Sequence, residues 1–291
     1  MTDVVSQSAA PPAHGRLAIG PTVAAAARVI RGRGGVYAAL IVLYTVILEL
    51  AIIVAGFLLP WLTAWLPPVP GLGLRRLAEL VLIEFFLIAC GTALFILVQR
   101  AAVLGERPSI AAGLRIRRQD YAVWRGVLLY WLAAHLAPTL LSHLNGFAGA
   151  AGLDWYPRYS AQWDMPVYWT FVCSIAPWFA LGLPIALFEG DRRPFRTARR
   201  RLRGQWPRYL ALLAICLLPG AVCVGAREIL EGTLALPWVL RHPYLNSTVF
   251  AGLEMAYSAE TYFVILLMSA AIGAAYSRLS PAFEPVYRVF D

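Results

Sequence analysis

Six apolar runs, near residues 36–59, 77–98, 123–141, 167–187, 208–225 and 257–277, decide what this chain can fold into. Each is long enough to cross about 30 Å of hydrocarbon as a helix. Inside lipid every backbone N–H and C=O must bond within its own segment, which leaves helices as the reading of such runs. Composition agrees: the 291 residues are 60% apolar and 14% charged, too little charge to coat a soluble domain of this size. The expected fold class is an all-α, polytopic integral membrane bundle of six transmembrane helices. The fifth run is the shortest and contains Pro219–Gly220, so a kink or a shallow span is expected there. Residues 1–19 are polar and proline-containing and lack the apolar core of a signal peptide. They read as a flexible cytoplasmic tail before a single membrane domain over 20–280, with a second cytoplasmic tail at 281–291.

Charge sets the expected orientation. All 25 basic residues are arginine. With the abundance of Ala, Gly and Pro, this points to a high-GC bacterial genome. The segments 1–35, 99–125, 188–208 and 278–291 hold 4, 6, 8 and 2 arginines, against Arg75, Arg76, Arg158, Arg227 and Arg241 on the other side. The positive-inside rule then places both termini in the cytoplasm. The opposite loops are aromatic, with Trp61, Trp65, Trp155, Tyr156, Trp163 and Trp238 among them, as membrane-edge anchors are. The four cysteines, Cys90, Cys173, Cys216 and Cys223, fall inside apolar runs and read as small packing residues, not as a disulfide framework or a metal site.

A repeat organises the chain. Pro21, Pro108 and Pro194 are 87 and 86 residues apart. Four positions after each comes Ala25, Ala112 or Ala198, and seven after comes Arg28, Arg115 or Arg201. An apolar residue follows (Val29, Ile116, Leu202), then an aromatic (Tyr37, Trp124, Tyr209) and a pair of spans. Three units result, about 20–98, 107–187 and 193–277, each opening on a cytoplasmic amphipathic interfacial helix. In the third, Phe195, Ala198 and Leu202 form one face, and Arg196, Arg199, Arg200 and Arg203 the other. Such a helix is expected to lie in the interface with its arginines among anionic headgroups. Arg28, Arg115, Arg117, Arg118, Arg196, Arg199, Arg200, Arg201 and Arg203 are the candidate lipid-binding residues. Three two-helix units share the plan of mitochondrial carriers, but no span ends in the Pro-x-Asp/Glu-x-x-Lys/Arg signature of that family.

The segments GERPSIAAGLRIRRQDYAVWRGVLLYWLA and EGDRRPFRTARRRLRGQWPRYLALLAICLL share a pattern: an acidic or glycine turn, an apolar-basic helix, an aromatic, then a span. In this the chain resembles, over about residues 20–280, bacterial six-span proteins related to YciC and to the membrane domain fused to some glycerophosphodiester phosphodiesterases. The phosphodiesterase domain and its His-Arg-Gly opening are missing, so its activity does not carry over. The resemblance implies an inner-membrane location and an accessory or envelope role.

The sequence carries no P-loop, HExxH, paired CxxC or GxSxG, so a non-enzymatic protein without cofactor or metal is expected. Ionisable groups at membrane depth are the exception. Glu49, Glu84 and His135 fall at similar depth in the outer half, about 20, 10 and 18 Å along their spans. Thr45 and Gly56 share the face of Glu49, and Gly91 that of Glu84, so these faces are expected to point into the bundle. A buried carboxylate is neutral, paired or functional, which leaves two readings: a packing tie, or a proton, ion or solute site. Glu228, Glu231, Glu254 and Glu260 are expected on solvated surface. Two functions remain. One is an envelope protein that organises anionic lipids, or a membrane-protein partner or second copy, through its basic collar. The other is a transporter using the Glu49/Glu84/His135 layer. Beside a span, the arginines are expected to meet lipid and not nucleic acid.

Overall fold

The computed structural model of the chain describes residues 17–63, 74–115, 117–131, 178–230 and 246–280. Among these residues all regular structure is helical. Helix α1 spans Ile19–Arg31, α2 Gly34–Thr63, α3 Leu74–Leu104, α4 Ile110–Leu114 and α5 Tyr121–Trp131, the last entered through a 3-10 turn at Arg118–Asp120. Helix α6 covers Trp178–Glu189. It is followed by α7 at Pro194–Arg201, α8 at Trp206–Leu230 and α9 at Asn246–Leu279.

Among the described residues, four stretches are long and apolar enough to cross a membrane: Gly34–Leu58, Phe85–Leu104, Trp206–Arg227 and Met255–Leu279. They match the first, second, fifth and sixth predicted spans. The third and fourth, 123–141 and 167–187, lie partly outside the described residues, which hold only α5 and the shorter apolar α6. Of the kink or shallow crossing expected in the fifth span, a helix too short to cross is excluded. Helix α8 runs unbroken through Pro219 for 25 residues, about 37 Å at 1.5 Å per residue. Gly220 serves close packing: a Cβ there would meet Val264 Cγ2 of α9 at 2.7 Å.

Helix α9 sits at the centre. On one side Tyr262, Leu266, Ala270 and Ala274 pack with Tyr37, Leu40, Tyr44 and Leu48 of α2 and with Leu94 and Val98 of α3. On the other, Ala271, Ala275 and Tyr276 pack with Leu181 and Ile185 of α6 and with Tyr209 and Leu212 of α8. Small residues set the spacing, because lipid tails give apolar helices no reason to associate beyond close contact. A Cβ at Gly273 would meet Ala102 Cβ at 2.7 Å, and one at Gly91 would meet Ile265 Cδ1 at 2.9 Å. Outward, Val42, Val46, Leu50, Ile53, Phe57 and Trp61 leave an exposed stripe along α2. Leu218, Val222 and Ile229 do the same on α8, as lipid-facing surfaces do. Cys90 is buried and Cys216 half-buried, but Cys223 is exposed on that outer face of α8. The expectation that every cysteine packs inside therefore fails there, and Cys173 lies outside the described residues.

The helices that follow the three prolines differ in length: 13 residues in α1, 5 in α4 and 8 in α7. In α7 the apolar face turns inward. Ala198 and Leu202 are buried in the same core as Leu181 and Tyr209. Phe195 stacks on Phe179 with centroids 5.3 Å apart and lies against Gly182. The apolar face therefore rests on α6 and the bundle, leaving the arginine face outward.

Candidate functional site: the arginine end of the bundle

The carboxy-terminal ends of α3, α6 and α9 and the starts of α2, α5 and α8 meet at one end of the bundle. Two buried or half-buried ion-pair clusters hold it together. In the first, Arg100 at the end of α3 is only 7% exposed in its side chain. Its guanidinium reaches Asp120 Oδ1 at 2.9 Å and Glu106 Oε1 at 3.2 Å. Asp120 Oδ2 also accepts from the Arg117 backbone N–H at 3.0 Å, fixing the turn into α5. Arg117 approaches Glu106 Oε2 at 3.7 Å. The chain can double back over the 20 residues between Arg100 and Asp120 because Gly105, directly after α3, takes φ 67°. Nearby, the Tyr44 hydroxyl donates to the Gly113 carbonyl at 2.8 Å and pins α4 onto α2. A side chain at Gly113 would collide with Leu40.

The second cluster joins α6, α7 and α9. Arg201 grips both oxygens of Glu189, at 2.6 and 2.8 Å. Tyr276 donates to Glu189 Oε1 at 2.8 Å and Ser280 at 3.2 Å, while Arg201 also donates to Ser280 Oγ. Burial pushes the Glu189 carboxyl upward, but Arg201, Tyr276 and Ser280 outweigh it and hold the group below its ordinary range. Asp191 is also held low, by the Thr197 hydroxyl and the Arg193 backbone N–H, which fasten it beside the start of α7. Farther round the end, Leu17 N–H donates to Gln205 Oε1 at 2.6 Å, tying α1 to the turn before α8.

The candidate lipid-binding arginines therefore divide. Arg28, Arg115, Arg118, Arg196 and Arg203 are exposed. Arg199 is exposed too, with its guanidinium 5.3 Å above the Trp178 ring, and Arg200 donates weakly to Thr197. Arg201 and Arg117 are instead drawn into ion pairs with Glu189 and Glu106. Of the 18 described arginines at this end, 15 are exposed; Arg100, Arg117 and Arg201 are not. The four described acids here, Glu106, Asp120, Glu189 and Asp191, are all engaged as above, so the exposed surface is strongly positive.

The membrane-depth residues are not gathered into one site by the described residues. Glu49 is half-buried on α2 and accepts from Ser258 Oγ of α9 at 3.1 Å. Around it lie Thr45, Tyr44 and Tyr262, the two tyrosine rings 5.8 Å apart. Gly56, expected on the same inward face, is exposed. Glu84 falls on α3 with its side chain outside the described residues, and His135 lies outside them altogether. Glu260 is not solvated as expected: its side chain is 9% exposed and pairs with Arg227 at 3.0 Å. Among the described residues no group of three His, Cys, Asp or Glu side chains could hold a metal ion.

Arg100, Asp120, Glu189, Tyr276 and Ser280 were not singled out from sequence. One signal was present: an acid stands in the turn before each of the last two prolines, in GERP and in EGDRRP, and in the structure both acids anchor an arginine. No family model, curated protein or solved structure matches the chain, so nothing there links it to the six-span family its pattern resembles.

Proposed function

We propose that this chain is a non-enzymatic membrane protein that organises anionic lipids through the exposed arginines of one end. The observation behind this reading is the separation of charges. Every described acid at that end is consumed by an internal bond, while 15 arginines remain at the surface beside apolar helices. A guanidinium near an anionic membrane surface gains about 1 kcal/mol. The same reading takes the chain as six spans in three tandem two-span units, in a bacterial inner membrane with both termini cytoplasmic. The arginine asymmetry of the loops supports it. The kinship with proteins related to YciC belongs to this proposal too. A partner membrane protein with an acidic face would dock by the same charges. The second reading, a transporter, is favoured by the Ser258–Glu49 hydrogen bond, which sets a carboxylate between helices at membrane depth.

Lipid extracted with the detergent-purified protein tests the proposal. Wild type is expected to carry phosphatidylglycerol and cardiolipin above their share in the membrane. Replacing Arg28, Arg115, Arg193, Arg196, Arg199, Arg200 and Arg203 with glutamine should bring that enrichment down toward the bulk composition. Equal enrichment in both proteins would refute a lipid-organising role for this end.

A further inference from the structure

Beside the start of α7 lies a cleft of about 410 Å³ that neither the collar nor the ion-pair clusters explain. Arg125 of α5, Arg192 and Arg193 of the turn before α7, and Arg196 of α7 line it. All four are exposed, and no ion pair ties any of their guanidinium groups to a carboxylate among the described residues. Asp191 also lines the cleft, but its oxygens accept from the Arg193 backbone N–H and the Thr197 hydroxyl. The floor is apolar, with Leu183 and Phe195 among the residues that form it. Leu183 lies six residues before the end of α6, about 9 Å down the helix axis. Gly126 and Gly182 keep the floor thin: Gly126 faces Leu183 and Phe195, and a Cβ at Gly182 would strike the Phe195 ring.

We infer that this cleft is a discrete binding site for a phosphate ester, and specifically for the headgroup of an anionic phospholipid. The inference rests on the lipid-binding reading above and adds a place to it. Four guanidinium groups, one from α5, two from the turn before α7 and one from α7, can surround a phosphate with forked, charge-assisted hydrogen bonds, which a single row of surface arginines cannot do. The volume falls within the range of small-ligand sites, roughly 300–1,000 Å³, and exceeds what a bare phosphate would fill. The apolar floor below the charged rim has the polarity profile of a lipid at the membrane edge, phosphate above and glycerol ester below. A soluble phosphate ester would satisfy the rim and leave the floor to water.

The test titrates the full chain in detergent with a fluorescent, short-chain phosphatidylglycerol. Wild type should bind it saturably. The pair Arg193→Gln, Arg196→Gln should weaken binding at least about tenfold. The pair Arg107→Gln, Arg278→Gln makes the same charge change at exposed positions outside the cleft and should weaken it less than about twofold. Glycerol 3-phosphate at equal concentration should not displace the lipid. If both pairs weaken binding alike, attraction is spread over the whole end; the cleft is then refuted while the lipid-binding reading stands. If neither weakens it, the cleft is equally refuted. Displacement by glycerol 3-phosphate as effective as by the lipid would overturn the lipid in favour of a water-soluble ester. No binding to wild type would remove the lipid-binding reading along with the site. Thermal unfolding of each variant checks that it folds, and Arg125→Gln, on a different helix, repeats the comparison should the α7 pair unfold.

Discussion

The two ends of the bundle are built differently. At the arginine end, Arg100, Glu106, Asp120 and Arg117 form one cluster, and Glu189, Arg201, Tyr276 and Ser280 another. Together they join helices far apart in sequence. At the opposite end, the described residues hold one ion pair, Arg227–Glu260, and otherwise present apolar and aromatic surface such as Phe57, Trp61 and Ile229. One end is fastened by charge and the other, among the described residues, presents mostly apolar surface. The comparison shows that arginines which all count equally toward orientation divide into two populations: three that hold the fold and fifteen at the surface.

The sharpest way to break this comparison is to remove a buried partner. Asp120→Asn removes from the buried Arg100 guanidinium its closest described carboxylate and leaves Glu106, itself about one-third exposed, at 3.2 Å. Losing one member of a buried pair costs about 3–5 kcal/mol, and the remaining acid puts the expected loss near the lower figure, about 3 kcal/mol. Thermal unfolding in detergent should register it as a large fall in midpoint. A shift no larger than that of an exposed arginine variant would mean the cluster is ornamental.

Glu189→Gln should cost less, about 1 kcal/mol, because its pair with Arg201 is partly open to water. Its signature is in the pH dependence. The carboxyl is held below its ordinary range, so the stability it contributes is complete above the unfolded value, about 4.3, and is lost as pH falls through the lower folded value. The gap between wild type and Glu189→Gln should therefore be full at neutral pH and close in acid. A gap that stays constant with pH would show that the glutamate stabilises by shape and not by charge.

Sequence carried the helices better than the site. The four long apolar helices were legible because lipid leaves the backbone no alternative, and each extends beyond its apolar run, α8 for instance to Leu230. The clusters were not legible. Arg100 closes an apolar run and Asp120 opens another, and their meeting depends on a reversal at Gly105 that spacing alone does not reveal. Periodicity read the face of Glu49 in part: Glu49 accepts from Ser258 of α9 and Thr45 one turn before is buried, but Gly56 seven residues on is exposed. The amphipathic pattern of α7 was correct as a pattern; its apolar side found Gly182 and Phe179 in place of lipid.

The division between holding and binding arginines is tested most directly by measuring how far added phosphatidylglycerol raises the unfolding midpoint. A ligand that binds the folded state alone stabilises it in proportion to its affinity. Wild type should show a concentration-dependent rise. The variant with Arg28, Arg115, Arg193, Arg196, Arg199, Arg200 and Arg203 replaced by glutamine should melt close to wild type without lipid, since among the described residues none of these side chains is in an ion pair, yet gain little when lipid is added. An equal rise in both proteins, or a variant already unstable without lipid, would contradict the account.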